Sequence, residues 1–140
     1  MRVGFTGTQE GMTRVQRIAV FDECDDLDPE EVDHGLCVGA DEQFHDLVDA
    51  NFNAIINGHP PTNTSKMSDR VCDVLFPPKP YLERNHEIVD VTERLIAAPY
   101  RMIEEQRSGT WSTVRYARTL RRPIAICWPD GTVTRENWPA

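Results

Sequence analysis

Hydrophobic and polar positions change period several times along the chain. The uncharged run beginning at Val3-Gly4-Phe5 predicts a first strand over residues 2–6, buried on both faces. Val15, Ile18, Ala19 and Phe21 then recur at helical spacing, predicting a helix over 13–26 with Thr13 as its cap. Residues 35–38 read as a very short second strand. Gly39-Ala40-Asp41 then turns the chain into a helix ending near Asn51, with Phe44, Leu47 and Val48 inward. A third strand is expected over 53–56. Residues 57–80 carry Pro60, Pro61, Pro77, Pro78 and Pro80 and read as a long loop, a lid or a subunit contact, with helical turns over 68–75. Beyond it come a helix over 83–91, a strand over 94–98, a helix from Gly109 or Thr110 to Leu120 and a strand over 123–128. Val114, Ala117 and Leu120 form the inward stripe of that helix, and the tail 133–140 is expected to add a short edge strand.

Strands alternating with helices imply a parallel sheet joined by right-handed crossovers. The expected architecture is one three-layer α/β domain over 1–140, with about five parallel strands and helices on both faces. Sheets of this kind bind ligands outside the carboxyl ends of their strands, at the point where strand order reverses.

Charge narrows the choice of ligand. The chain has 15 Lys and Arg against 23 Asp and Glu, a net charge of −8. Duplex nucleic acid is therefore not the expected partner. Acids are concentrated between Asp22 and Asp33, a run expected to be a solvated helix end and loop, so a local phosphate site elsewhere remains open. The chain starts directly in an apolar strand and has no stretch able to span a bilayer, so a cytoplasmic protein without a membrane partner is expected. Cys24, Cys37, Cys72 and Cys127 form no C-x-x-C pair and are expected as free thiols. Glu42-x-x-His45 reads as a solvated helix face, and His34, His59 and His86 are scattered without ligand spacing. No metal and no cofactor are expected. Arg115, Arg118, Arg121 and Arg122 sit late in a helix, where cations offset its dipole.

Candidate chemistry lies in three turns and one helix start. Thr6-Gly7-Thr8-Gln9-Glu10-Gly11 follows the first strand; its glycines and hydroxyls suit a phosphate or a plain tight turn, and it carries neither a dinucleotide nor a Walker fingerprint. Val38-Gly39-Ala40-Asp41-Glu42 opens a helix, where Asp41 can cap it or accept from a ribose hydroxyl. Arg107-Ser108-Gly109-Thr110-Trp111-Ser112 places hydroxyls at another helix amino end, for an anion or as ordinary caps. In Tyr81-Leu82-Glu83-Arg84-Asn85-His86, Arg84 can reach a phosphate and Asn85 a base or a backbone group. Tyr81, Tyr100 and Trp111 are the rings available to stack on a base.

These segments together resemble the SLOG superfamily of Rossmann-like domains, which includes DNA-processing protein A, the lonely-guy phosphoribohydrolases and many small bacterial and phage proteins. The matching pieces are Val3-Gly4-Phe5-Thr6-Gly7-Thr8, Cys37-Val38-Gly39-Ala40-Asp41, Arg84-Asn85-His86-Glu87-Ile88, and Leu95-Ile96-Ala97-Ala98-Pro99 followed by Ser108-Gly109-Thr110. They keep the family order between Val3 and Trp128. The resemblance implies a nucleotide or nucleotide-derived ligand at Gly7, Thr8, Gly39, Ala40, Asp41, Arg84, Asn85, Ser108, Gly109, Thr110 and Trp111, held by a sensor or sequestering module, and self-association by family habit. The related hydrolases cleave an N-glycosidic bond with an Arg at the Arg84 position and a Glu where this chain has Thr113. An oxocarbenium-like transition state wants a carboxylate nearby. That departure favours binding over catalysis. A nucleotide N-glycosidase or deoxyribosyltransferase, with Arg84 and Glu87 as its candidate groups and Glu104 or Glu105 as other acids, is the alternative. Single-stranded DNA binding, found in one family branch, is the third reading.

Overall fold

In the computed structural model, which describes residues 1–139, the chain forms strands β1 (Arg2–Gly7), β2 (Glu31–His34), β3 (Ile55–Gly58), β4 (Val74–Leu75), β5 (Arg94–Ala98), β6 (Ile124–Cys127) and β7 (Val133–Glu136). Helices α1 (Arg14–Leu27), α2 (Ala40–Asn51), α3 (Tyr81–Asp90) and α4 (Gly109–Thr119) separate them. The strands make one sheet in the order β4-β3-β2-β1-β5-β6-β7, all parallel except β7. From β1 the chain steps outward to β2 and β3, and from β5 it steps the other way to β6. Strand order therefore reverses between β1 and β5.

Right-handed crossovers put α1 and α2 on one face and α3 and α4 on the other. The first layer is built on Phe5, Val20, Val32, Phe44, Val48 and Ile96, with the Phe5 and Phe44 rings stacked 4.2 Å apart. The second gathers Val89, Leu95, Trp111, Val114, Ala117 and Ile126. At the far edge β7 reaches both layers: Arg135 bonds Glu23 of α1, and Glu136 pairs with Arg118 of α4 at 2.8 Å. Thr13 caps α1 by accepting from the Gln16 amide at 3.1 Å, and the Gln16 side chain returns the bond to the Thr13 amide.

Several expectations need correcting. The three-layer α/β architecture is as expected, but the sheet has six parallel strands where about five were expected, besides the antiparallel edge strand β7. The second strand lies at Glu31–His34, and residues 35–38 are the turn that follows it. Its charges hid it from a hydrophobicity reading: Asp33 is fully buried because Arg2 and His59 neutralise it. The third strand likewise starts two residues later than expected. Residues 68–75 hold no helix; a 3-10 turn at Thr64–Lys66 and the edge strand β4 organise this region instead. The acidic run is not wholly solvated, since Glu23 is buried as well as Asp33. Leu120 is exposed rather than inward, and of the residues at helical spacing in α1 Ala19 is buried while Val15 and Ile18 are exposed. The expected tail strand forms at Val133–Glu136, while Ala140 lies outside the described residues. Among the described residues, no helix is long and apolar enough to cross a membrane.

A chain of polar contacts centred on buried Asp33 and His59 ties β1, β2, β3 and α3 together. Arg2 makes two 2.8 Å bonds to Asp33, and His59 Nε2 lies 2.6 Å from the same carboxylate. His59 Nδ1 lies 2.7 Å from Glu87, which also pairs with Lys79. Burial by itself would raise Asp33 and Glu87, but the bonds from Arg2 and His59 to the first, and from Lys79 and His59 to the second, hold both below the usual carboxylate range.

Candidate ligand cleft

At the reversal between β1 and β5 the carboxyl strand ends open a cleft of about 430 Å³. The first turn gives it Gly7, Thr8, Gln9 and Glu10. The segment after β2 gives Gly35, Cys37 and Asp41, and α3 gives Tyr81, Arg84, Asn85 and Ile88. Tyr100, Glu105, Arg107, Ser108, Gly109 and Thr110 close the opposite wall.

Thr8 knots the first turn to its neighbours. Its amide donates to the Ala98 carbonyl at 3.1 Å, its carbonyl accepts from Gly11 and Ala40, and its hydroxyl accepts from the Glu10 amide at 3.1 Å. Gly39 and Ala40 lie behind the cleft wall and let the first two turns meet. Gly39 adopts φ +86° with its Cα against the Gln9 carbonyl, while a Cβ on Gly7 would come within 2.5 Å of the Ala40 methyl. In the third turn Ser108 caps α4 by accepting from the Trp111 amide at 3.3 Å. The first two helical residues, Gly109 and Thr110, have amides without intrahelical acceptors, as at any helix start. A Cβ at Gly109 would meet nothing within 4 Å.

Arg84 is 5% exposed and works from below the cleft. Its Nη1 donates to the carbonyls of Gly35 and His59, its Nε to Asn85 Oδ1 at 2.8 Å, and its Nη2 to Cys37 Sγ at 3.7 Å. Tyr81 lies over the guanidinium at 5.3 Å. This arginine both charges the cleft and holds the segment after β2 in shape. Asp41 accepts from the Cys37 amide at 3.1 Å. Burial pushes its carboxyl up to about 6, although Arg84 and the backbone donors pull the other way.

The raised Asp41 gives a pH prediction. Ionisation costs more in the folded than in the unfolded chain, so stability from this residue is full below the ordinary 3.8 and is lost as pH rises towards 6. Asp41→Asn keeps the acceptor for Cys37 and removes the charge. Urea midpoints should show the variant level with the wild type near pH 4 and more stable by up to about 3 kcal/mol at pH 8. Equal differences at both pH values would show that ionisation of Asp41 is not penalised.

Other residues singled out in the sequence sit elsewhere. Trp111 is 2% exposed and packs on Trp128 in the core, so its ring does not face the cleft. Glu87 belongs to the chain of polar contacts through His59, and Glu104 pairs with Arg115 and Arg118. Thr113 is fully buried and donates to the Gly109 carbonyl at 2.9 Å. Glu105 is thus the one member of the suggested acids that lines the cleft. Gln9, Glu10, Gly35 and Cys37 were missed as lining residues; Gly35 and Cys37 were assigned to a strand, which concealed the turn.

The histidines are less scattered than their spacing suggests. His34 is fully buried and His45 is 6% exposed, with His34 Nε2 3.1 Å from His45 Nδ1. Cys72 approaches the same pair. The reading of the His45 helix face as solvated is therefore wrong at this residue.

No family model and no curated protein matches the sequence. The solved structures that resemble the fold include the following two. A molybdenum cofactor binding protein from the phototrophic bacterium Rippkaea orientalis aligns with a TM-score of 0.69 and 20% identity, covering 91% of this chain and 76% of that one. The structural-genomics target TM1055 aligns at 0.63 and 13% identity, covering 88% and 71%. At these identities the likeness is one of fold: a three-layer, mostly parallel, Rossmann-like sheet.

Proposed function

We propose that this chain is a SLOG-type binding module that captures a nucleotide or a nucleotide-derived small molecule in the cleft between β1 and β5. One observation carries the reading: three turns distant in sequence, together with Arg84, line a single cleft at the reversal of strand order. In this reading a phosphate sits at the start of α4, near Ser108, Gly109, Thr110 and Arg107. A base stacks on Tyr81 or Tyr100. The acids Glu10, Asp41 and Glu105 outnumber Arg84 and Arg107 among the cleft-lining charges, which disfavours a polyphosphate and suits hydroxyl and amine donors beside a lone phosphate. The molybdenum cofactor bound by the Rippkaea protein belongs in the panel for the same reason of fold. Catalysis is the weaker reading, because buried Thr113 leaves its position without a carboxylate.

A thermal-shift panel of mononucleotides, cyclic nucleotides, ADP-ribose derivatives and molybdenum cofactor tests this. A ligand at about 100 times its Kd should stabilise the fold by about 2.7 kcal/mol, a rise on the order of 10 °C. The Cβ of Gly109→Val would enter open space, and the variant should abolish the shift while leaving the unliganded Tm nearly unchanged. The proposal fails if no compound shifts the Tm, or if the valine variant responds as the wild type does. Release of free base would instead favour the glycosidase.

A further inference from the structure

We propose that His34, His45 and Cys72 form a binding site for a single zinc-class metal ion. Three separate segments supply the ligands: the end of β2, the middle of α2 and the stretch leading into β4. His34 Nε2, His45 Nδ1 and Cys72 Sγ all lie within 4.8 Å of one another. Two of the edges are 3.1 Å between the imidazole nitrogens and 3.9 Å from sulfur to His34 Nε2. A tetrahedral zinc ion with ordinary bond lengths needs edges of roughly 3.3 and 3.6 Å. The two imidazole planes are 80° apart. Closing the remaining edge takes a modest advance of Cys72, which is only half-buried and so also offers the way in. Three protein ligands leave a fourth position for water.

The donor set is selective. Two imidazoles and a thiolate suit zinc-class ions and reject magnesium and calcium, which prefer oxygen. The cluster sits apart from the candidate cleft, and none of its three side chains lines it. Burial holds His34 uncharged, so its ring has a lone pair to give. The proposal is independent of the ligand assigned to the cleft.

Loading has a definite proton balance. Without metal, His34 Nδ1 accepts from the Leu36 amide at 3.0 Å, so the ring proton is on Nε2 and is shared with His45. Zinc takes the Nε2 lone pair, and that proton moves to Nδ1. Cys72 loses its thiol proton to solvent, and two Zn–N bonds and one Zn–S bond replace metal-bound waters. The new Nδ1–H requires the Gly35–Leu36 peptide to turn. Leu36 holds φ +54°, a conformation rarely adopted by leucine, and rotation of that peptide offers the Gly35 carbonyl to Nδ1. Because Gly35 is also an acceptor of Arg84, the rotation loosens one of the bonds that hold the arginine.

Cobalt(II) titration of the full chain tests the site. The expected result is one ion per chain, with the intense visible absorption of tetrahedral cobalt and a thiolate-to-metal charge-transfer band. Zinc should displace it and release about one proton per ion. Cys72→Ser should abolish the charge-transfer band and weaken zinc by more than the roughly 10–100-fold typical of losing an outer partner. Cys24→Ala, in the α1 core and outside both the cluster and the cleft lining, should leave both unchanged. A second measurement needs no variant: iodoacetamide should label Cys72 in metal-free protein and be blocked by zinc. Sub-stoichiometric or octahedral cobalt spectra, a charge-transfer band surviving in Cys72→Ser, or labelling of Cys72 unaffected by saturating zinc would each overturn the site.

Discussion

Asp33→Asn is expected to destabilise the fold by about 3–5 kcal/mol, the usual penalty when one partner of a buried ionic set is removed. Asp33 is fully buried and receives two bonds from Arg2 and a short contact from His59, which in turn leans on Glu87. Asparagine keeps the volume and loses the charge, so the loss reports electrostatics rather than a cavity. It leaves Arg2 and His59 without the carboxylate that both of them contact. Since domains of this size are held by about 5–15 kcal/mol, the variant approaches the limit of folding. Urea denaturation at pH 7 measures it. A double-mutant cycle with His59→Gln should give a coupling of about 1–3 kcal/mol. A loss below about 1 kcal/mol would mean that water reaches this group and screens it. The lowered Asp33 and Glu87 also predict stability that is present above the ordinary carboxylate range and is lost as pH falls below it.

Gly39→Ala is expected to be comparably severe for a different reason. The residue has φ +86° and ψ −125°, a region that costs a side chain about 1–3 kcal/mol. Its Cβ would also fall on the Gln9 carbonyl, and backbone cannot swing aside as a flexible side chain can. Relieving the overlap separates the first turn from the start of α2, at a further cost of about 1–3 kcal/mol. It also breaks the bond from the Ala40 amide to the Thr8 carbonyl. Calorimetry or urea melts should therefore show a loss of about 3–5 kcal/mol, and any cleft ligand should bind more weakly even where the fold survives. Gly11, also at positive φ but with only the Gln43 side chain nearby, provides the contrast, and Gly11→Ala should cost less.

Much of this architecture was legible because alternating strands and helices leave a strong periodic signal. Strand Arg94–Ala98 is a mostly buried apolar run and the amphipathic helix beginning at Gly109 is capped by Ser108, and both lie where the pattern put them. Strand β2 was misplaced because Glu31, Asp33 and His34 look like solvent-facing residues until Arg2 and His59, far away in sequence, are brought beside them. The edge strand β4 was missed because two residues carry no period at all. Gly7 and Thr8 at the end of β1, Asp41 and Gly109 at helix starts, and Arg84 in the first turns of α3 line one cavity, and each stands out in the sequence by its residue type. Trp111 failed as a stacking ring because helix phase, not proximity to the turn, decides which way a side chain faces. The His34, His45 and Cys72 cluster has no sequence spacing, since its members meet only through the β2–β3 register and the path into β4.

Arg84 has a consequence for how selectively the cleft can discriminate. A guanidinium has five N–H donors, and four of them are already engaged by Gly35, His59, Asn85 and Cys37. The two-pronged grip by which arginine usually recognises a planar anion is therefore not on offer. What faces an incoming molecule is a fixed positive point with one N–H to give, its rotamer freedom surrendered when the chain folded. Such a centre attracts many anions and ranks them poorly. Discrimination must come from the opposite wall, around Tyr100 to Thr110, where the loop is exposed and open to sequence change. If the cleft holds the ligand proposed above, substitutions in that wall should change its affinity mainly through dissociation rates.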